Sequence, residues 1–238
     1  MTELLFQVDS YVKECRAHVT TVFPEENAVV LDRTTFYPGG GGQPADLGHI
    51  EFQGKNYPVI KVQKQGSDVF HFIDGELPPL NSDVLAVIDW DRRYRLMRTH
   101  TALHILCGVV WRDYGAQVTG GNMEPLRGRM DFEFESLRAD LVKEIENKVN
   151  IEVESGRQVN IKILPREEAF KIPDLIRTKI NLLPPSLKEV RTVEIEGLDL
   201  QADGGTHVAN TKEVGRIQIA GYKSKGRINK RIEIELIQ

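Results

Sequence analysis

Short alternating runs dominate the first 90 residues. HVTTVF (18–23), NAVVLDRT (27–34), GHIEFQ (48–53), NYPVIKVQKQ (56–65), DVFHFID (68–74) and DVLAVIDWD (83–91) are rich in β-branched and aromatic residues, and Gly, Pro, Asn or Asp separate them. Short strands at that spacing predict a small barrel or sandwich. FYPGGGGQPADLG (36–48) interrupts the series, because a regular strand cannot run through Gly39–Gly42. Four glycines cost conformational entropy. They fit either a flexible loop or a place where another backbone or a ligand comes close.

Past Asp91 the period changes. DRRYRLMRTHTALHILCGVVWRDYG (91–115) spaces its apolar residues as a helix does and ends on Gly115, a C-cap residue. Ser136 predicts the N-cap of a second helix that runs to Gly156. PREEAFKI (165–172) predicts a short helix, and RMDFEF (129–134), QVNIKILP (158–165), VRTVEI (190–195), RIQIAGYKSKG (216–226) and KRIEIELIQ (230–238) predict strands. The expected fold is α+β. A glycine-rich, β-barrel-like domain at 1–90 precedes an α+β domain at 91–238 with two main helices on a largely antiparallel sheet.

Composition narrows the function classes. The chain has 238 residues, 40% hydrophobic and 28% charged, within the range of ordinary globular proteins. A net charge of −4 argues against a broadly basic nucleic-acid binder, though not against a local basic patch. Cys15 and Cys107 are the only cysteines, so no disulfide framework is implied and a reducing cytosol fits. No signal-peptide run and no apolar stretch of membrane-spanning length occurs, so the expectation is a cytoplasmic protein without a membrane partner.

Two motifs carry chemistry. His100 and His104 lie four residues apart, about 40° around a helix axis, so both imidazoles can reach one ion. Such pairs are also common as surface or core residues. A third histidine, His207, follows a glycine pair in ADGGTHV (202–208), with Asp203 four residues before it. Either this is a tight solvent loop, or Gly204 and Gly205 bend the chain so that Asp203 and His207 face a common metal. Three or four such N/O donors make a zinc site, which is catalytic where one position is left to water. A zinc-peptidase helix would carry Glu at position 101, and Thr101 rules that reading out. Cys107, about 20° off the same face, is either a further ligand or core. His18, His49 and His71 lack metal-like spacing and read as structural.

FYPGGGGQPADLG, HTALH and GGTHV, in that order, resemble the editing domain of alanyl-tRNA synthetases and their free-standing relatives, the AlaX proteins. The resemblance covers nearly the whole chain, through KSKGRINKRIEIEL (223–236), and is to the intermediate-length, trans-editing form. It implies zinc-dependent hydrolysis of the ester in mischarged tRNA for alanine, chiefly seryl-tRNA and also glycyl-tRNA. His100, His104 and His207 would carry the chemistry as Zn2+ ligands. The family often has Cys where this chain has Asp203, which is either the fourth ligand or a group that orients His207 through its other ring nitrogen. Zinc would lower the pKa of a water or hold the substrate in place.

Gln117, Thr119 and Asn122 in the polar segment after the first helix are candidates for a seryl hydroxyl, or else strand and turn surface. Residues 212–231 hold seven Lys/Arg, among them Lys223, Lys225 and Arg227, against one acid, Glu213. Arg92, Arg93, Arg95 and Arg98 form a second cluster. Each is either a tRNA-phosphate contact or a solvated charged face. Two further functions fit the same residues: a zinc-stabilised module that captures tRNA without hydrolysis, and a metallohydrolase of small aminoacyl esters.

Overall fold

Inward-facing side chains two apart, reset by one residue at two bulges, close the first sheet into a barrel. This is a computed structural model, and it describes residues 1–177 and 187–237. Two compact units divide the chain, Met1–Arg95 and Leu96–Gln238. In the first, β1 (Glu3–Leu4), β2 (Glu14–Phe23), β3 (Ala28–Leu31), β4 (Arg33–Thr34), β5 (Gly48–Phe52), β6 (Lys55–Gln65), β7 (Asp68–Ile73) and β8 (Asp83–Ile88) follow one another. The closed barrel has the order β2-β3-β7-β6-β5-β8, and β1 pairs with β4 beside it. The long strands β2 and β6 are bulged between Val19 and Thr21 and between Val59 and Lys61. Each bulge shifts the inward set, so Tyr57 and Val59 are followed inside by Val62 rather than by residue 61. Val19, Leu31, Phe36, Ile50 and Ile73 fill the interior.

The glycine-rich segment is an ordered loop, not a tether. Gly39, Gly40, Gly41 and Gly42 all take positive φ, from 56° to 136°, a conformation that other residues adopt only at a cost. Gly40 and Gln43 exchange backbone hydrogen bonds of 3.0 and 2.9 Å, and Tyr37 Oη donates to the Gly40 carbonyl at 3.0 Å. Another backbone comes close at Gly39, where a Cβ would lie 3.2 Å from the Ala45 nitrogen, and not at Gly41, where it would meet nothing. Asp46 closes the loop by accepting from Tyr37 N–H at 2.6 Å, and Arg93 grips Asp46. Arg93 also donates to the carbonyls of Ser10 (3.0 Å) and Thr35 (2.7 Å). Arg93 is thus fully buried and spent on the fold, which corrects its expected place in a phosphate-facing cluster. Losing one member of such a pair costs about 3–5 kcal/mol.

The helix α1 (Trp90–Tyr114) is followed by β9 (Val118–Glu124), β10 (Arg127–Glu133), α2 (Ala139–Glu154), β11 (Val159–Pro165), α3 (Arg166–Ala169), β12 (Glu189–Ile195), β13 (Asp199–Ala202), β14 (Arg216–Ser224) and β15 (Asn229–Ile237). In the second unit these form an antiparallel sheet β14-β15-β10-β9 and a smaller antiparallel sheet β11-β12-β13. The two sheets pack on different faces of α1. Gly128 of β10 abuts Leu103, while Gly108 of the helix abuts Leu198 and Asp199 at the start of β13. Leu96, Met97, Ala102, Ile105, Leu106 and Val109 are therefore all buried. On α2, Asn150 bonds both the N–H and the C=O of Ile217, and Glu146 accepts from Ile219 N–H, so the helix covers the edge of β14.

The expected α+β fold with an N-terminal barrel is what the chain forms. Local differences have physical reasons. Arg138, not Ser136, precedes α2, and no side chain caps it. A cap is worth only about 1 kcal/mol, less than the burial of Val142, Ile145, Val149 and Val153 that fixes where the helix lies. The 27–34 run breaks into β3 and β4, and the polar 118–124 segment is a strand because β10 offers it a partner.

His71 gives the barrel a pH signature. Its ring is wholly buried, against Thr34 Oγ1 at 2.8 Å and edge-on to Phe36. Burial lowers its pKa from 6.5 to about 4. Because the folded value lies below the unfolded one, its contribution is complete above pH 6.5 and is lost as pH falls towards 4. The loss should reach roughly 3 kcal/mol. Urea unfolding at pH 7 and pH 4.5 should show this drop in the wild type and a smaller one in His71→Gln; equal drops would refute it.

Candidate metal centre

Two periodicities bring the site together. On α1, His100, His104 and Gly108 occupy successive turns of one face. Along β13 and the residue after it, Asp199, Gln201 and Asp203 alternate with Leu200 and Ala202, which pack into the core around Val190. The strand therefore turns an apolar face to its own core and a polar row to the helix. Beyond it, ADGGTHV folds back so that His207 reaches His100 and His104.

One ligand atom from each of His100, His104, Asp203 and His207 lies within 4.8 Å of the others. Their rings touch, with centroids 4.2 to 5.1 Å apart. Asp203 sits among the Nε2 atoms: 3.4 Å from His100, 3.9 Å from His104 and 3.1 Å from His207. A tetrahedral ion with bonds of about 2.1 Å has donor–donor edges of about 3.4 Å. The observed separations bracket that value, and three neutral imidazoles with one carboxylate suit a divalent metal, so the donor set fits a metal ion.

The opposite edges of two rings are also held. His104 Nδ1 donates to Asp199 Oδ2 at 3.1 Å, and His207 Nδ1 lies 3.2 Å from Thr101 Oγ1. Each bond directs Nε2 into the cluster. Asp203 is therefore on the donor side of His207, and the nitrogen through which it would have acted as an orienting group is turned to Thr101. Burial opposes the charged form of His104, yet the hydrogen bond to Asp199 and the nearby carboxylate of Asp203 outweigh it and raise its pKa to about 9. Burial and then the neighbouring His100 hold His207 well below its usual value. Against burial, the charge of His100 and the nearness of all three imidazoles hold Asp203 well below the carboxylate range.

The glycine pair does not act as expected. Neither Gly204 nor Gly205 takes a positive φ, and a Cβ on Gly204 would meet nothing. The bend comes from Asp203, whose Oδ1 accepts from Gly205 N–H at 2.6 Å, while Arg191 Nη1 donates to the Asp203 carbonyl at 2.9 Å. Cys107 is buried core and accepts from Gln201 rather than joining the donors. Asp199 and Thr101 escaped the sequence reading. The alternation Asp199–Gln201–Asp203 was the signal for the first; position 101 was weighed only as the place of an absent Glu.

The other expected site residues sit at β9, at the start of α1 and on the β14–β15 hairpin. Gln117, Thr119 and Asn122 are exposed on or just before β9; Thr119 donates to Asn229 Oδ1 at 2.9 Å, and Asn122 Oδ1 accepts from Met123 N–H. Among the described residues, no hydrogen bond or ion pair joins these three to the histidines. Arg92 is half-buried. Lys223, Lys225 and Arg227 are exposed on the β14–β15 hairpin, with Lys223 paired to Glu233 at 2.8 Å. Lys230 and Arg231 are spent internally, on the Gly226 and Arg227 carbonyls and on Asp131.

Two family models and several known proteins match the chain. Residues 5–92 match the family model of class II (A) tRNA synthetases, and residues 190–233 match that of the threonyl and alanyl tRNA synthetase second additional domain. Along 98% of both chains the protein is 42% identical to alanyl-tRNA editing protein AlaX-M of Saccharolobus solfataricus. It is 40% identical to AlaX-M of Methanosarcina barkeri over the full length of both. The alanine–tRNA ligase of Pyrobaculum aerophilum is 39% identical over 92% of this chain but 25% of the ligase. The chain is thus of the synthetase editing-domain class. The chain belongs to the AlaX-M family of alanyl-tRNA editing proteins.

Gly204→Ala should be nearly neutral, within about 0.5 kcal/mol of wild-type stability and with divalent-metal binding retained. His207→Ala should lose most of the bound metal, and Asp203→Ala should lose less. Metal content after dialysis against a weak chelator checks all three; full retention by His207→Ala would remove His207 from the donor set.

Proposed function

We propose that this protein is a zinc-dependent aminoacyl-tRNA deacylase that edits tRNA(Ala) mischarged with serine, and also with glycine, in the cytoplasm. The observation that carries the reading is the convergence of His100, His104, His207 and Asp203 on one point in a buried pocket of side chains. Family membership supports tRNA as the substrate carrier. The imidazole-rich, four-donor set favours Zn2+ over Mg2+ or Ca2+, which take oxygen ligands.

The reaction joins water to the ester carbonyl carbon and releases the amino acid and the terminal adenosine hydroxyl. An aminoacyl ester is already activated, so positioning and charge stabilisation suffice. Bound zinc supplies Lewis-acid charge to that site. His100, His104 and His207 hold it, with Asp203 as the fourth donor in place of the family's usual thiolate. Gln117, Thr119 and Asn122 contact the seryl hydroxyl; a pocket built to bond that hydroxyl leaves its own groups unpaired when alanine is bound, which spares the correct product. Lys223, Lys225 and Arg227, with Arg92, bind tRNA phosphates. In this reading residues 1–90 are the glycine-rich domain and residues 91–238 the zinc-binding editing domain.

A second reading has one observation in its favour. Asp203 completes four protein donors, and a closed four-donor site is more often structural than catalytic. The protein would then be a zinc-stabilised module that captures tRNA.

Deacylation of seryl-, glycyl- and alanyl-tRNA(Ala), with and without chelator, separates the two. Zinc-loaded protein should hydrolyse the seryl ester at least tenfold faster than the alanyl ester and lose that activity with chelator. Tight tRNA binding without hydrolysis would establish the capture module instead, and equal rates on seryl and alanyl esters would remove the specificity claim.

Replacing Lys223, Lys225 and Arg227 together with Ala should weaken tRNA binding and flatten its log–log salt slope by about 1–2, because fewer counterions are released. Zinc content should stay the same. An unaltered slope would make the hairpin a solvated face.

A further inference from the structure

We propose that Asp199 is a positioning residue for the metal centre, and that Gly108 is the gap in α1 that admits it to His104. This rests on the metal-centre reading above and adds residues that lie outside the donor set.

Asp199 is wholly buried, and its Oδ2 meets His104 Nδ1 at 3.1 Å, on the ring edge away from Asp203. A carboxylate there accepts the Nδ1 proton, which fixes the tautomer whose Nε2 lone pair faces the cluster and makes that nitrogen a better donor. Gln201 Nε2 donates to the same oxygen at 2.6 Å and lies 3.4 Å from Cys107 Sγ, so the carboxylate is itself held from behind. Its other oxygen, Oδ1, is buried without a hydrogen bond, and Arg177 Nε is 3.5 Å away. The buried carboxylate is thus met by Gln201, Arg177 and His104, and of these His104 alone belongs to the donor set.

Gly108 is one helical turn beyond His104. A Cβ there would lie 2.9 Å from Leu198 Cγ and 3.0 Å from Asp199 Cβ. Its φ is ordinary for a helix, so backbone conformation does not require glycine, and Ala is the better helix former. What requires it is the approach of the strand that carries Asp199. The spacing His-x3-His-x3-Gly therefore encodes two donors and the port for the group that orients the second.

The test uses the full chain, stripped of metal and titrated with Zn2+ against a chromogenic chelator, and with Co2+ followed by its visible absorption. Asp199→Asn, nearly the same size but uncharged, should weaken Zn2+ binding 10–100-fold and alter the Co2+ spectrum. Gly108→Ala should weaken binding about tenfold by pushing the strand off His104, although Ala favours the helix. Metal-free melting curves and circular dichroism show whether each variant is folded. In the Zn2+-loaded wild type, long-range 1H–15N NMR of the histidines should find the His104 proton on Nδ1. A proton on Nε2, or folded variants with wild-type affinity and spectrum, would overturn the assignment while leaving the metal centre standing. Failure of the wild type to bind Zn2+ or Co2+ would overturn both.

Discussion

The contact between α1 and β13 governs what the second unit can do. A helix buried on nearly every side has no solvent to accommodate His100 and His104, so their polar edges must be met by protein groups or by an ion. The strand meets them with a period of two. Asp199, Gln201 and Asp203 all fall on the helix side, and the apolar partners Leu200 and Ala202 fall on the other. A one-residue slip in the register of β13 against β12 would exchange those faces and put leucine where the carboxylates now stand. The pairing of Thr192 with Ala202 and of Ile195 with Asp199 is therefore a condition of the site as much as of the sheet.

The first unit shows the same economy with charge. Arg93 and Asp46 are both wholly removed from water, a costly arrangement unless every donor and acceptor is met. Their partners meet most of them: four of the five guanidinium N–H groups bond the carboxylate and two carbonyls, and the carboxylate also receives the Tyr37 N–H. What the pair fixes is the exit of the glycine loop. With Gly39–Gly42 all in left-handed or related conformations, the loop has few side-chain contacts of its own, so its shape depends on anchors at its ends.

Legibility in the sequence followed the range of the interaction. The barrel strands, α1 and the pairing of His100 with His104 are written in local periods of two and 3.6, and they were readable. His207 could be joined to them only through family resemblance and a glycine-flanked turn, and the turn itself was misread. A carboxylate bonded to the backbone two residues on makes that bend without unusual glycine conformations. Counting charge also failed where charges are neutralised at a distance in sequence. Arg231 meets Asp131, Lys223 meets Glu233 and Arg93 meets Asp46, so a local excess of Lys and Arg overstated the cationic surface. Thr101 and Asp199 are harder to read because each bonds a histidine from another part of the fold, and only Asp199 leaves a local trace, its alternation with Gln201 and Asp203.

Electrostatics explains why these groups are held so tightly together. Without a cation, three imidazoles and two carboxylates share a dry volume, and their ionisation is divided unevenly: His104 holds its proton between Asp199 and Asp203, while His207 is kept neutral by burial and by His100. A proton on His104 partly offsets the two carboxylates, but it takes the Nε2 or Nδ1 lone pair out of use. A dication held at the Nε2 edge would supply that positive charge while leaving the Nδ1–H to Asp199, so metal binding and proton release are one exchange. Asp199 and Asp203 thus place buried negative charge on either side of His104, and Arg177 pairs with the outer carboxylate at 3.5 Å.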